Sequence, residues 1–172
     1  ISSVTAYAKL LIYTNGAFAY GDQITLTTSK STYSKTWNTN PVTGLPWTFD
    51  EVLDLQAGVS MWKNYYTSID AWANQIYVSV DVTPIGTTVL ATLRPNGSGD
   101  LTQCVKSAGT YNYECVDEEV SNDDIDYVQQ GPVSFENYDD LYALPNESVS
   151  NIKYVAEYIR VRSTGTSNSW SF

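Results

Sequence analysis

The chain opens with a segment in which apolar and polar side chains alternate. Between residues 2 and 13 the apolar positions of this segment are Val4, Ala6, Ala8, Leu10 and Ile12. A period of two places one set of side chains on each face of a β-strand. Asn15-Gly16 follows, a dipeptide favoured in tight hairpin turns. The pattern therefore predicts a long N-terminal strand that ends in a hairpin.

Similar short strands recur along the chain and define its fold class. About ten of them, with turn signals every 8–12 residues, predict an all-β fold, a β-sandwich or jelly roll. One segment departs from this pattern, near residues 48–57. Thr48 is a helix N-cap there and Glu51 completes a capping box, which predicts one short helix ending before Gly58.

No linker divides the chain. We predict a single sandwich domain over residues 1–162, followed by a flexible tail over 163–172. The tail ends in an aromatic hook formed by Trp170 and Phe172, of the kind that fills a groove on a partner.

The first strand resembles a segment near the other end of the chain. Ile1 aligns with Val149, Val4 with Ile152 and Ala8 with Ala156. Such a chain can be cut from a repeating array, or it can be a subunit that passes a strand to its neighbour; chance similarity is the alternative. Self-assembly is thus our primary hypothesis. The predicted assembly residues are Val4, Ala6, Ala8, Leu10, Ile12, Trp170 and Phe172.

Composition and charge exclude several classes of partner. The chain contains five Trp and fourteen Tyr, which suit a pleated sheet. The formal net charge of −10 disfavours nucleic acid and anionic membrane surfaces. No apolar run long enough for membrane insertion is present, nor is a signal peptide. A chain that starts at Ile1 suggests a processed or an excerpted protein, and we expect an extracellular, cell-surface or virion location.

Two cysteines flank a predicted turn at residues 107–110. Cys104 and Cys115 would then approach each other, which predicts a disulfide and an oxidising compartment; buried free thiols are the alternative. The absence of His leaves a zinc site short of ligands. Asn96 and Asn146 begin Asn-x-Ser sequons and are candidate N-glycosylation sites.

Acidic residues crowd the second half of the chain, where no Lys or Arg occurs between Lys106 and Lys153. Converging carboxylates could hold Ca²⁺ through hard oxygen donors, although no EF-hand spacing is present. The candidate ligands are Asp117, Glu118, Asp123, Asp124 and Asp126. Solvated loops are the alternative, and we expect no cofactor to be required.

Catalysis is not expected, because the absence of His removes the commonest general base. A Ser-Lys site and a carboxylate pair for glycoside hydrolysis are the remaining enzymatic alternatives. Trp62 and Trp72 are candidates for glycan binding, and packing in a core or an interface is the alternative for such large aromatics.

Several short motifs resemble jelly-roll-like β-sandwich modules. These modules occur in phage virion structural proteins and in large secreted proteins of environmental microbes. The motifs are Leu-Arg-Pro-Asn at 93–96, the acidic blocks at 113–118 and 123–128, and the blocks at 40–48 and 55–59. In this chain the order of the blocks is rotated relative to those modules. The resemblance implies a structural or adhesive role and carries over no catalytic residue.

Taken together, these features predict a structural subunit of an extracellular filament or virion-like assembly. It would self-associate with copies of itself through strand complementation. The alternative is a carbohydrate-binding or adhesive module with glycans as partners.

Overall fold

A computed structural model describes residues 5–64, 69–82, 89–121, 125–132, 136–146 and 151–165. Two antiparallel sheets pack against each other, with one short α-helix at their margin. This confirms the predicted all-β sandwich. Within the described ranges, no helix is long and apolar enough to cross a membrane.

The first sheet, sheet A, has the strand order β2-β1-β5-β11-β8, and β3 pairs with β1 beside β2. Its strands are β1 (Ala6–Thr14), β2 (Ala17–Tyr20), β3 (Ile24–Thr25), β5 (Gln56–Lys63), β8 (Gly97–Thr102) and β11 (Tyr138–Ala143).

The second sheet, sheet B, has the order β4-β12-β6-β10-β9, and β7 pairs with β6. Its strands are β4 (Ser31–Trp37), β6 (Ala71–Val82), β7 (Val89–Leu93), β9 (Val105–Lys106), β10 (Val128–Gln129) and β12 (Ile152–Ser163). A helix, α1 (Phe49–Leu53), precedes β5, and a 3₁₀ helix (Asn112–Cys115) follows β9.

The core lies between the inner faces of the two sheets. The alternating set Ala6, Ala8, Leu10 and Ile12 is buried there, as the period of two predicts. From sheet B, β6 and β12 supply branched side chains to the same cluster. These contacts remove apolar surface from water at about 25 cal/mol per Å², the main stabilising term of such a fold.

The N-terminal strand is an interior strand of its own sandwich. Asn15 and Gly16 both have positive φ, which confirms the tight turn that joins β1 to β2. β1 pairs with β2 and β3 on one edge and with β5 on the other. The assembly role of its apolar residues stays a prediction, but in a single chain both edges of this strand are occupied. Val4 lies outside the described residues.

The helix begins as predicted and ends earlier. Thr48 and Glu51 form the reciprocal hydrogen bonds of a capping box. The last helical residue is Leu53, and residues 56–63 form β5, so the predicted extension towards residue 57 is wrong. The reason is tertiary, because β5 pairs with β1 and β11 at once. Gly58 belongs to this strand, where a Cβ would overlap the carbonyl oxygen of Asp140.

The structure describes the first three residues of the predicted tail, 163–165. Ser163 ends β12 and is buried. Thr164 and Asp70 exchange two hydrogen bonds, each at 2.9 Å, so this part of the chain is attached to the sandwich. Trp170 and Phe172 lie outside the described residues.

Candidate functional site

Six side chains form a continuous patch on the outer face of sheet A. Because the even-numbered residues of β1 point into the core, Tyr7, Lys9 and Tyr13 point outward, while Leu11 between them is fully buried. Neighbouring strands add aromatic residues at matching register positions. We call this patch the aromatic strip; its members are Tyr7, Lys9, Tyr13, Phe18, Tyr20 and Trp62.

Cross-strand ring contacts organise the strip. The rings of Tyr7 and Trp62 stack with centroids 5.4 Å apart, and those of Tyr13 and Phe18 lie 5.0 Å apart. Phe18 also contacts Tyr20 at 6.4 Å. Phe18 remains 43% exposed and Tyr20 44% exposed. The strip is therefore ordered by its own contacts and still open to a partner.

Lys9 is the cation of the strip. Its Nζ lies 5.8 Å from the centroid of the Tyr20 ring and 5.5 Å from that of Trp62. It makes no ion pair within the described part of the chain. At the far side, the Tyr20 hydroxyl donates to Asp139 Oδ2 at 3.1 Å. Burial, and then the Asp139 charge, raise the pKa of Tyr20, so this hydroxyl stays protonated.

A polar cleft continues the strip at the Tyr13 end. It has a volume of about 460 Å³ and lies beside the β1–β2 turn. Amide and carboxylate groups line it, together with apolar side chains. The lining includes Asn15, Asp54, Gln56, Leu144 and Asn146.

The structure places Trp72 far from Trp62, on the outer face of sheet B. The Trp72 ring stacks on Tyr127 with centroids 3.7 Å apart, and the guanidinium carbon of Arg162 lies 4.6 Å from its centroid. Groups this close to one ring must occupy opposite faces. Both faces of Trp72 are thus occupied within the chain. Trp62 also has ring partners, since it stacks on Tyr7 and Lys9 Nζ lies 5.5 Å from its centroid, and glycan binding at either tryptophan stays a prediction.

A second outward surface lies on the sheet B side, where acidic and apolar residues meet. We call it the acidic corner; it comprises Asp117, Glu118, Glu119, Val120, Ile125 and Asp126. Gln75 Nε2 donates to the carbonyl oxygen of Glu118 at 2.9 Å, and Arg94 Nη1 donates to the same oxygen at 2.7 Å. Arg94 in turn lies over the Tyr77 ring. These bonds fix the corner against the outer side of sheet B.

Charge repulsion and burial change the protonation of this corner. Burial first, and then hydrogen bonding to Asp126 and the nearby carboxylates, raise the pKa of Glu118 to about 7. Burial also raises the pKa of Asp117. Val120 and Ile125 are 81% and 76% exposed, and Glu119 is exposed beside them. The corner thus presents bare apolar side chains among carboxylates.

The five predicted calcium ligands are only partly described. Asp117, Glu118 and Asp126 lie in the acidic corner, while Asp123 and Asp124 fall outside the described residues. The described residues contain no group of three His, Cys, Asp or Glu that could hold a metal ion. The calcium site stays a prediction.

The structure corrects the predicted disulfide. Cys104 and Cys115 are free thiols, and both are buried. Their sulfurs are directed to different carbonyl oxygens: Cys104 Sγ donates to Tyr138 at 3.6 Å, and Cys115 Sγ donates to Ala108 at 3.4 Å. Burial raises the pKa of both thiols, Cys104 the more strongly, and this keeps them unreactive.

Two buried acids escaped the sequence analysis. Asp140 accepts hydrogen bonds from Cys104 N, Asn112 Nδ2 and the Tyr142 hydroxyl, at 2.8, 2.6 and 2.9 Å. Glu157 points from β12 into the core and accepts from Gly58 N in β5 at 3.0 Å. Burial raises the pKa of Glu157 well above its usual value. The sequence held one indication of their burial, because the alternating pattern of their strands directs the side chains of both acids inward.

Both predicted sequon asparagines, Asn96 and Asn146, are exposed, and glycosylation stays a prediction. In comparisons with known proteins, no protein family, no curated protein and no solved structure matches the chain. The resemblance to phage and secreted modules likewise stays a prediction.

Proposed function

We propose that this protein is a structural subunit of an extracellular filament or virion-like assembly, built from copies of itself through strand pairing. The observation that carries the proposal is the free edge of β4. Among the described strands, β4 pairs only with β12, so its other edge lies open over seven residues. An open edge presents main-chain donors and acceptors that a strand of another chain can pair with.

The β4 edge carries little of the usual protection against such pairing. It contains no Pro, and its outward side chains are the short Thr32, Ser34 and Thr36. Its one charged residue, Lys35, is engaged by Asp22 at 3.2 Å. The opposite edge of the other sheet, β8, is blunted by two glycines, an aspartate and a register shift against β11.

Strand complementation at this edge leaves β1 in place. Donating β1 would break its pairing with three strands of its own sheet. Addition to the β4 edge breaks no existing pairing and removes an unpaired edge, and we therefore favour it.

The proposal is tested by blocking the edge with charge. Thr32→Lys/Ser34→Lys places two lysines on β4 and should prevent polymers, while circular dichroism stays β-rich. Asn38→Lys/Thr39→Lys adds the same charge at exposed positions just beyond β4 and should leave polymers intact. Sedimentation velocity and negative-stain microscopy provide the readout. A wild-type protein that stays monomeric at millimolar concentration would show the proposal to be wrong.

A carbohydrate-binding or adhesive module is the second candidate, favoured by the open aromatic strip and its adjoining polar cleft. Aromatic rings beside amide and carboxylate groups suit a sugar with one apolar face and hydroxyl edges. Cellohexaose should then quench tryptophan fluorescence, and Trp62→Ala should abolish the effect. Tyr158→Ala, which removes a ring from sheet B, is the matched control.

A further inference from the structure

We propose that the aromatic strip of one copy binds the acidic corner of the next copy. This inference rests on the proposed function and names the faces through which subunits meet, in addition to any pairing at the β4 edge. Three observations carry it: the positions of the two surfaces, their complementary chemistry and the exposure of their apolar groups.

The two surfaces lie on opposite sides of the sandwich. The strip projects from sheet A, because Ala6, Ala8, Leu10 and Ile12 fill the inner face of the same strand. The corner is fixed to the outer side of sheet B through Gln75 and Arg94. Packed sheets are about 10 Å apart, so one copy cannot bring its own strip and corner together.

The charges of the two surfaces are complementary. Lys9 is unpaired within the described residues and is held between two rings. Glu119 is an exposed carboxylate in a corner whose main chain is fixed. The ion pair across the contact would be flanked by rings that exclude water, where such pairs fix register most effectively.

The apolar groups are complementary as well. Val120 and Ile125 are the most exposed large hydrophobic residues described, at 81% and 76%. Phe18, Tyr20 and Trp62 offer an aromatic surface of the type that supplies the anchors of protein interfaces. Burying the two aliphatic side chains against these rings removes apolar surface that the separate copies leave in water.

This geometry produces an open chain of subunits. A two-fold dimer needs both complementary surfaces on one side, but here they face opposite ways. Each contact is heterologous and leaves one strip and one corner free, so growth continues head to tail. The inference thus accounts for a filament instead of a closed pair.

Charge reversal with rescue in trans tests the inference. Lys9→Glu and Glu119→Lys should each abolish polymers when alone. Mixing the two variants should restore them, because each strip then meets a corner of opposite charge. Lys153→Glu carries the same charge change at an exposed position away from both surfaces and should polymerise normally. Val120→Ser should weaken polymers more than Leu90→Ser, which alters another exposed apolar residue.

Cross-linking gives a second, direct readout. In polymers mixed from isotopically heavy and light copies, a carbodiimide should join Lys9 of one copy to Glu119 of another. Polymers that survive Lys9→Glu, or that give no such cross-link, overturn this inference and leave the proposed function standing. A monomeric wild type overturns both, and cellohexaose binding by that monomer would assign the strip to glycans.

Discussion

The outer faces of the two sheets carry similar side chains and differ in whether other parts of the chain cover them. Both faces hold aromatic residues and cations close to rings. On sheet B, residues 117–121 and Tyr127 lie against the face: Glu118 and Glu119 accept hydrogen bonds from Gln75 and Arg94, and Tyr127 stacks on Trp72. Arg162 lies over the same Trp72 ring, and Arg94 lies over Tyr77. On sheet A, no described segment covers the strip. An aromatic-rich sheet face thus stays accessible to a partner only where the described part of the chain leaves it uncovered.

The largest expected effect separates the two tryptophans. Trp72→Ala removes a ring stacked on both faces and should destabilise the fold by roughly 3 kcal/mol, as for other large-to-small changes at packed sites. Trp62→Ala on the open face should cost about 1 kcal/mol. Urea unfolding followed by circular dichroism measures both values. Equal losses would show that the strip is packed as firmly as sheet B.

The next effect concerns Glu157 in sheet B, which accepts a hydrogen bond from Gly58 in sheet A. Burial raises the pKa of Glu157 well above its usual value, so we expect its carboxyl to keep its proton in the folded core. As pH rises above the ordinary glutamate pKa, only the unfolded chain loses this proton, so stability falls with increasing pH. Glu157→Gln keeps the hydrogen bond to Gly58 and removes this loss, and the variant should have a higher thermal midpoint than wild type at pH 7.

The same comparison at pH 4 is the control, since the difference between Glu157→Gln and wild type should shrink there. The pKa of Glu118 is also raised, to about 7, and this likewise lowers the stability of the fold as pH rises. The Glu157→Gln variant should therefore still lose some stability up to neutral pH, but less than wild type. A variant less stable than wild type at pH 7 would contradict a neutral Glu157.

A smaller difference in stability is expected between variants of Arg94 and Lys9, which both lie near aromatic rings. Arg94→Met loses the hydrogen bonds to the Glu118 and Glu119 carbonyl oxygens and should destabilise the monomer by about 1.5 kcal/mol. Lys9→Met removes a cation that contacts only rings and should change stability by less than about 0.5 kcal/mol. Chemical unfolding at concentrations below assembly provides the measurement.

The smallest expected signal comes from the thiols of the segment that leads to the acidic corner. Cys104 and Cys115 should resist iodoacetamide in the native protein and both react after unfolding in urea without reductant. Mass spectrometry counts the added groups. Rapid native labelling would show that this segment opens, and failure to label after unfolding would restore the disulfide.

Local features were predictable from the sequence. The alternation in β1, the Asn15-Gly16 turn and the Thr48 capping box depend on neighbouring residues, and the structure confirms all three. The end of the helix was not predictable, because pairing of β5 on both edges overrides the local preference at residues 54–57. The disulfide failed for a similar reason: proximity in sequence does not fix the direction in which a sulfur points.

The candidate site was only partly predictable. Trp62 was identified, but its neighbours in the strip depend on the register that places Tyr7 opposite Trp62 and Phe18 opposite Tyr13. The Tyr7–Trp62 register joins strands more than fifty residues apart and leaves no local pattern, whereas Tyr13 and Phe18 face each other across the hairpin that Asn15-Gly16 closes. Glu157 was missed because an acid at an inward position resembles an interruption of the strand pattern.

The long ladders of β1 and β12 have a mechanical consequence. β1 is registered with β5 over eight residues, and β12 with β6 over eleven. Residues 5 and 165 lie at the same end of the sandwich, because Ala6 pairs with Lys63, Lys63 contacts Asp70, and Asp70 is hydrogen-bonded to Thr164. A force that separates these two points therefore acts across the strands, and it would open the main-chain bonds of each ladder one after another from that end.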